Sequence, residues 1–214
     1  MGSIRKIRMF PLDFEEFLYA NGMNGFALSA IREKFEKLET PDEPVHEKIM
    51  DLFKKYLLVG GLPEAVNTFI ATKNIQAVRG IQAEIHEYYA ADASKYDHEK
   101  KLKIRRVYDL VPSNMENKKK RVVAQELTAH GHNLFYYDNR SKGEVDYLID
   151  DYDTLSAVPI EVKSGKDYNV HSALNNFVSN EDYHVKKACV LSNERTVMQK
   201  GKIVYLPVYF VMFF

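Results

Sequence analysis

Apolar residues recur at helical spacing through the first half of the chain. Phe14, Phe17 and Leu18 share one helix face, and Asp13 with Glu16 three residues later makes a capping box at its start. Leu28, Ile31, Phe35 and Leu38 form a second stripe. Val45, Ile49, Leu52, Phe53, Tyr56 and Leu57 form a third. The third helix runs into Gly60-Gly61-Leu62-Pro63. Glycine supplies a left-handed helix C-terminus and Pro63 is pre-shaped for the next first turn, so this stretch predicts a helix–helix corner. Two further helices are expected, Asn74–Ala90 and His98–Leu110.

The period changes after Arg121. A helix over Val122–Ala129, closed by Gly131, is followed by runs of β character at Leu134–Asp138, Glu144–Asp150, Leu155–Lys163, Lys187–Ser192 and Lys202–Phe213. A helix over His171–Val178 separates the third run from the fourth. The expected class is therefore α+β or α/β: a helical part over residues 1–120, then a mixed sheet flanked by helices over 121–214.

Composition adds little. With 45% hydrophobic residues the chain is an ordinary globular one, and thirty basic residues offset thirty acidic ones. Net neutrality removes the basic footprint of many nucleic-acid binders. Two local basic runs remain, Lys100–Arg106 and Lys118–Arg121, and each alone reads as a solvated face. The single cysteine, Cys189, lies in an apolar run and predicts a buried thiol in a reducing, cytoplasmic setting. The apolar stretch Ile203–Phe214 is too short to span a membrane and reads as a core strand. His130-Gly131-His132 lacks further ligands at metal spacing, so its histidines are expected to meet helix-end carbonyls.

Candidate chemistry lies in Gly143-Glu144-Val145-Asp146-Tyr147 and Pro159-Ile160-Glu161-Val162-Lys163. Alternation in a strand puts Glu161 and Lys163 on one face and Ile160 and Val162 on the other. The turn formers Asp151-Tyr152-Asp153 predict an antiparallel hairpin that brings Asp146 beside Glu161. Two carboxylates so close repel unless a cation neutralises them. Oxygen ligands without cysteine or histidine suit Mg²⁺ or Mn²⁺. Lys163 is then placed to serve a phosphate or an attacking water, and Glu126 on the preceding helix to complete or orient the metal shell. The plainer reading is a salt-bridge cluster on an exposed sheet face.

Asp146, then Glu161-Val162-Lys163, with Glu126 upstream, resembles the signature of the PD-(D/E)xK nuclease superfamily, which implies a restriction-endonuclease-like fold for residues 121–214. It departs where Glu144-Val145 precedes Asp146, since a proline often stands directly before that aspartate. A wider resemblance covers nearly all of the chain. Phe10–Leu18, Tyr56–Glu64 and Pro159–Gly165 resemble the C-terminal domain of a bacterial and archaeal AAA-type ATPase family. That resemblance implies an ATP-binding domain before Pro11-Leu12-Asp13-Phe14 as a partner. The chain contains no G-x-x-x-x-G-K-[ST] loop, so no ATP site is expected in it. Relatives resemble a winged helix after the stretch matching Lys103–Lys120 and continue before the Val-Ala-Gln-Glu helix, whereas here Lys120 and Arg121 abut. The expected function is a Mg²⁺-dependent nuclease-like domain that cleaves or binds nucleic acid. The alternative is a catalytically silent module that couples the ATPase to a partner.

Overall fold

The computed structural model describes residues 7–93, 102–103, 106, 118–163 and 172–214. Most of the expected helix over His98–Leu110 and most of the basic run Lys100–Arg106 lie outside the described residues, as do Ser164 and Lys166, whose place next to Lys163 makes them candidates for phosphate contacts.

The helical part contains α1 (Phe14–Ala20), α2 (Gly25–Glu36), α3 (Glu43–Val59), α4 (Pro63–Thr72) and α5 (Ile75–Ala93). Helix α1 starts as expected: Asp13 accepts from the Glu16 N–H at 2.8 Å while the Glu16 carboxylate accepts from the Asp13 N–H at 3.1 Å. Leu28 and Ile31 are buried, but Leu38 falls beyond α2 in a left-handed conformation with φ 53° and is exposed. The α3–α4 corner is built as its glycines require. Gly60 takes φ +70°, and a Cβ on Gly61 would lie 2.0 Å from the Leu12 carbonyl oxygen. Leu12 donates its N–H to the Gly61 carbonyl at 2.8 Å, so the segment leading into α1 lies directly on this corner.

Helix α6 (Lys118–Ala129) runs without interruption through Lys120 and Arg121, and Gly131 follows at φ +94°. Then come β1 (Phe135–Asn139), β2 (Gly143–Asp151) and β3 (Ser156–Val162), helix α7 (Ser172–Ser179), β4 (Ala188–Ser192), β5 (Met198–Lys200) and β6 (Ile203–Pro207). The sheet is six-stranded in the order β1-β2-β3-β4-β6-β5. It is antiparallel over β1-β2-β3, parallel over β3-β4-β6, and antiparallel at the β5 edge. The molecule is thus a helical part followed by a mixed open sheet, an α+β arrangement.

Two details depart from the sequence reading. Strand β5 is only three residues long and largely exposed, too short to give a periodic signal. The stretch Lys202–Phe213 is not one strand. It breaks at Pro207, which has no N–H to donate to a ladder, and continues as a 3-10 helix over Val208–Phe213. All six residues of that helix are buried, because it lies against α1, α2, α3 and α6. Phe35 of α2 meets the rings of Phe210 and Phe213 at 5.5 and 5.6 Å. One apolar cluster therefore runs from Phe14, Phe53 and Tyr56 through Val123, Leu127 and Phe210 to Ile160 and Leu191. The helical part and the sheet share a core. A second cluster, under α7, gathers Val145, Leu174, Phe177 and Val190 on the other sheet face.

Candidate functional site: a carboxylate–lysine cluster at the β2–β3 end

Strand β2 is out of phase with itself at the position that matters. Phe135 pairs with Leu148 and Tyr137 with Val145, so one residue of β1, Tyr136, faces two of β2, Asp146 and Tyr147. This is a β-bulge, a device that re-aims side chains. Its effect is visible in the packing: Val145 and Leu148 pack on the α7 face, whereas Tyr147 and Ile149 join the core under the helical part. The Tyr147 hydroxyl donates to the Lys120 carbonyl at 2.8 Å and so ties the first turn of α6 to the bulge.

The hairpin forms as expected, with Tyr147 paired to Ile160 and the turn held by Asp151, whose carboxylate accepts from Asp153 and Thr154. Past that last pair, Asp146 replaces the ladder with its side chain: its Oδ2 accepts from the Val162 N–H at 2.8 Å. Its other oxygen, Oδ1, is ion-paired with the Lys120 ammonium. On β3, Ile160 and Val162 enter the shared core while Glu161 points away from it. The Lys163 ammonium meets Glu161 Oε1 at 2.8 Å, which confirms the shared face. The main chain of Lys163 is itself fixed by donation to Leu191 O at 2.8 Å, and the Lys119 ammonium reaches Lys163 O at 3.3 Å and Asn193 Oδ1 at 2.7 Å.

Asp146 and Glu161 retain only 8% and 9% of their exposure, so both carboxylates are nearly withdrawn from water. Three of their four oxygens are occupied. The fourth, Glu161 Oε2, is buried with no partner among the described residues. A buried acceptor left unmade costs about 1–3 kcal/mol. Burial raises the Glu161 pKa, and the neighbouring Asp146 raises it further, against the opposing pull of Lys163 and Lys120. Burial lowers the Lys120 pKa, but Asp146 outweighs that and leaves it raised.

Glu126 is placed elsewhere. It is fully buried, and its carboxylate turns toward the helical part, where the Phe14 N–H donates to both oxygens at 3.1 and 3.0 Å. The Tyr56 hydroxyl lies 3.0 Å from Glu126 Oε1 and 2.7 Å from Leu12 O, and Gln125 Nε2 donates to that hydroxyl at 2.9 Å. Asp13 and His130 complete this second constellation, with a 3.5 Å ion pair between them. His130 thus meets the Asp13 carboxylate, and a backbone hydrogen bond with Phe214 also acts on it. One ligand atom from each of Asp13, Glu126 and His130 lies within 4.8 Å of the others, close enough to consider a metal. The hydrogen bonds argue for a structural clamp instead: Glu126 is taken up by Phe14 and Tyr56, and Asp13 caps α1. Burial raises the Glu126 pKa to about 7, with Asp13 adding to it against the Phe14 and Tyr56 hydrogen bonds. The His130 pKa is raised by its bond to Asp13.

Of the four residues picked from sequence, the structure brings together Asp146, Glu161 and Lys163, and sets Glu126 in the clamp. The residue missed is Lys120. Its only sequence signal was membership of Lys118–Arg121, which reads equally as a solvated face. Cys189 is buried as expected, and burial pushes its thiol up to about 11, away from nucleophilic use. Among the described residues no helix is long and apolar enough to cross a membrane.

No curated protein and no solved structure matches this chain. Residues 50–137 match a family described as Domain of unknown function (DUF8612). Residues 120–211, which hold the whole sheet with Lys120, Asp146, Glu161 and Lys163, match the family described as Domain of unknown function (DUF4143).

Proposed function

We propose that the Asp146–Glu161–Lys163 cluster is the divalent-cation site of a nuclease-like domain, acting on or binding the phosphodiester backbone of nucleic acid. The observation that carries the reading is Glu161 Oε2, a buried acceptor without a partner among the described residues, beside a second buried carboxylate. The ion pair with Lys163 leaves that oxygen unmet, and a bound cation would take it up. The donor set is all oxygen, which fits Mg²⁺ or Mn²⁺. Asp146 and Glu161 would hold the ion, which when bound supplies Lewis-acid polarisation of a phosphoryl oxygen. Glu126, committed to Phe14 and Tyr56, is left out of that shell and serves to position α6. The Val162 N–H orients the Asp146 carboxylate, and the Lys163 ammonium, held at Glu161, is placed to meet a phosphate oxygen or to take part in the proton balance of a water beside it.

A second reading keeps a specific observation in its favour. Lys120 and Lys163 already pair one oxygen each of Asp146 and Glu161, as in a silent structural cluster. In that reading the chain couples an AAA-type ATPase, at whose C-terminus domains of this family often stand, to another partner. The shared core of helices and sheet suits a rigid coupler.

The test is Mn²⁺ and Mg²⁺ binding by calorimetry with the unchanged chain, Asp146→Ala and Glu161→Ala, alongside cleavage of mixed DNA and RNA substrates. Binding lost in both variants and cleavage lost in Lys163→Ala is the expected result. No binding at millimolar metal and no cleavage would transfer the function to the coupling module.

A further inference from the structure

The cation reading leaves one group unexplained. Lys120 reaches the cluster from α6, not from the hairpin, and pairs with the Asp146 oxygen that the Val162 N–H leaves free. Its side chain keeps 30% of its exposure while that of Asp146 keeps 3%, so the ammonium stands at the mouth of the cluster and the carboxylate at its floor. Asp146 is its ion-pair partner, and Glu144 and Glu161 also favour its charge from further off. Its backbone is fixed independently: the Tyr147 hydroxyl, at the bulge next to Asp146, holds the Lys120 carbonyl at 2.8 Å. A bond between the neighbour of Asp146 and the main chain of Lys120 fixes the Lys120 backbone beside Asp146, so only the side chain has to move for the ion pair to open.

We infer that Lys120 is a tethered counter-ion that competes with a divalent cation for Asp146, so that the site is held neutral until its ammonium is withdrawn. This rests on the cation reading above. The charge arithmetic supports it. Asp146 and Glu161 are matched one for one by Lys120 and Lys163, and a divalent ion added to that set leaves two surplus positive charges. Swinging the Lys120 stem outward removes one of them and frees Asp146 Oδ1, while Glu161 Oε2 has no partner among the described residues. Those two oxygens then offer one ligand atom from each carboxylate. A polyanion at the mouth of the site is the class of ligand that would draw the ammonium away, because a phosphate offers it an alternative partner while a neutral ligand does not. Cation and phosphate binding are thereby coupled through one side chain, each favouring the other.

The experiment uses Mn²⁺ alone as the probe, titrated into the full chain by calorimetry, with Lys120→Met, Lys120→Arg and Asp146→Asn beside the unchanged protein. Methionine keeps the apolar stem and removes the charge; arginine keeps the charge. Lys120→Met is expected to bind Mn²⁺ about tenfold more tightly, the effect of removing one close like charge, and Lys120→Arg to stay within about twofold of the unchanged chain on the same argument. Asp146→Asn should bind weakly or not at all. Thermal unfolding with and without Mn²⁺ gives a second readout: the ion should raise the melting temperature of Lys120→Met more than that of the unchanged chain. Equal or weaker binding by Lys120→Met, with binding still lost in Asp146→Asn, overturns the counter-ion role and leaves the cation site intact. No binding by any of the four proteins overturns the cation site, and this inference with it.

Discussion

The clamp at the helix–sheet seam and the cluster at the β2–β3 end each bury a glutamate, and they treat it in opposite ways. Glu126 is fully buried, and both of its oxygens accept from the Phe14 N–H while Tyr56 adds a third contact. Glu161 is almost as buried, yet one oxygen meets Lys163 and the other has no hydrogen-bond partner among the described residues. The first carboxylate bonds the start of α1 to α6 and is committed to structure. The second is kept in a state that a cation or a proton would relieve. Burial alone does not mark a functional carboxylate; unmet hydrogen-bonding capacity does.

The contrast is broken most forcefully at the clamp. Glu126→Ala leaves the Phe14 N–H and the Tyr56 hydroxyl without their shared acceptor in a closed core, and should destabilise the chain by about 3–4 kcal/mol, read by urea unfolding. The pH dependence follows in size. The folded chain raises Glu126 from 4.5 to about 7, so it holds more protons than the unfolded chain across that window. Its contribution is fully present below about pH 4.5 and is lost as pH rises through about 7, a fall of about 3 kcal/mol. The raised His130 adds to this fall with the same sign, while Asp13, held low chiefly by His130 and the α1 N–H groups against its burial, acts only at the acid end with the opposite sign. Unfolding from pH 5 to 8 should show the slope, and Glu126→Gln should flatten it; an unchanged slope in that variant would reassign the proton.

Gly61→Ala should cost about 2–3 kcal/mol, because the new methyl would overlap the Leu12 carbonyl that the corner receives. A smaller loss would mean that the segment before α1 is free to lift from the α3–α4 corner. The smallest effect is the most telling. Glu161→Gln should change stability by less than about 1 kcal/mol at pH 7, since it removes a charge that burial already disfavours and whose second oxygen has no partner to lose. A loss as large as that of Glu126→Ala would make Glu161 a second clamp, and would count against the cation reading.

Much of this was readable in advance where the information is local. The capping box of Asp13 and Glu16, the glycine corner at Gly60 and Gly61, the hairpin across Asp151, and the common face of Glu161 and Lys163 all depend on residues within a few positions of one another. Hydrogen-bond geometry and side-chain alternation are set at that range. The six-residue stretch after Pro207 defeated the same logic, because an apolar run has no period to distinguish a buried strand from a buried helical turn.

The chain order alone thus specified that Asp146, Glu161 and Lys163 would converge, since one hairpin carries all three. It left open which buried carboxylate would be spent on structure. That was settled only when α6 packed between the helical part and the sheet, turning Glu126 toward Phe14, 112 residues away in sequence, and Lys120 toward Asp146, 26 residues on. The reason is periodicity. Lys120 and Glu126 lie six positions apart on one helix, and six residues at 100° each turn their side chains 600° apart, about 120° away from facing the same way. A single helix so placed must send the two side chains to different neighbours, and only the packed molecule names them.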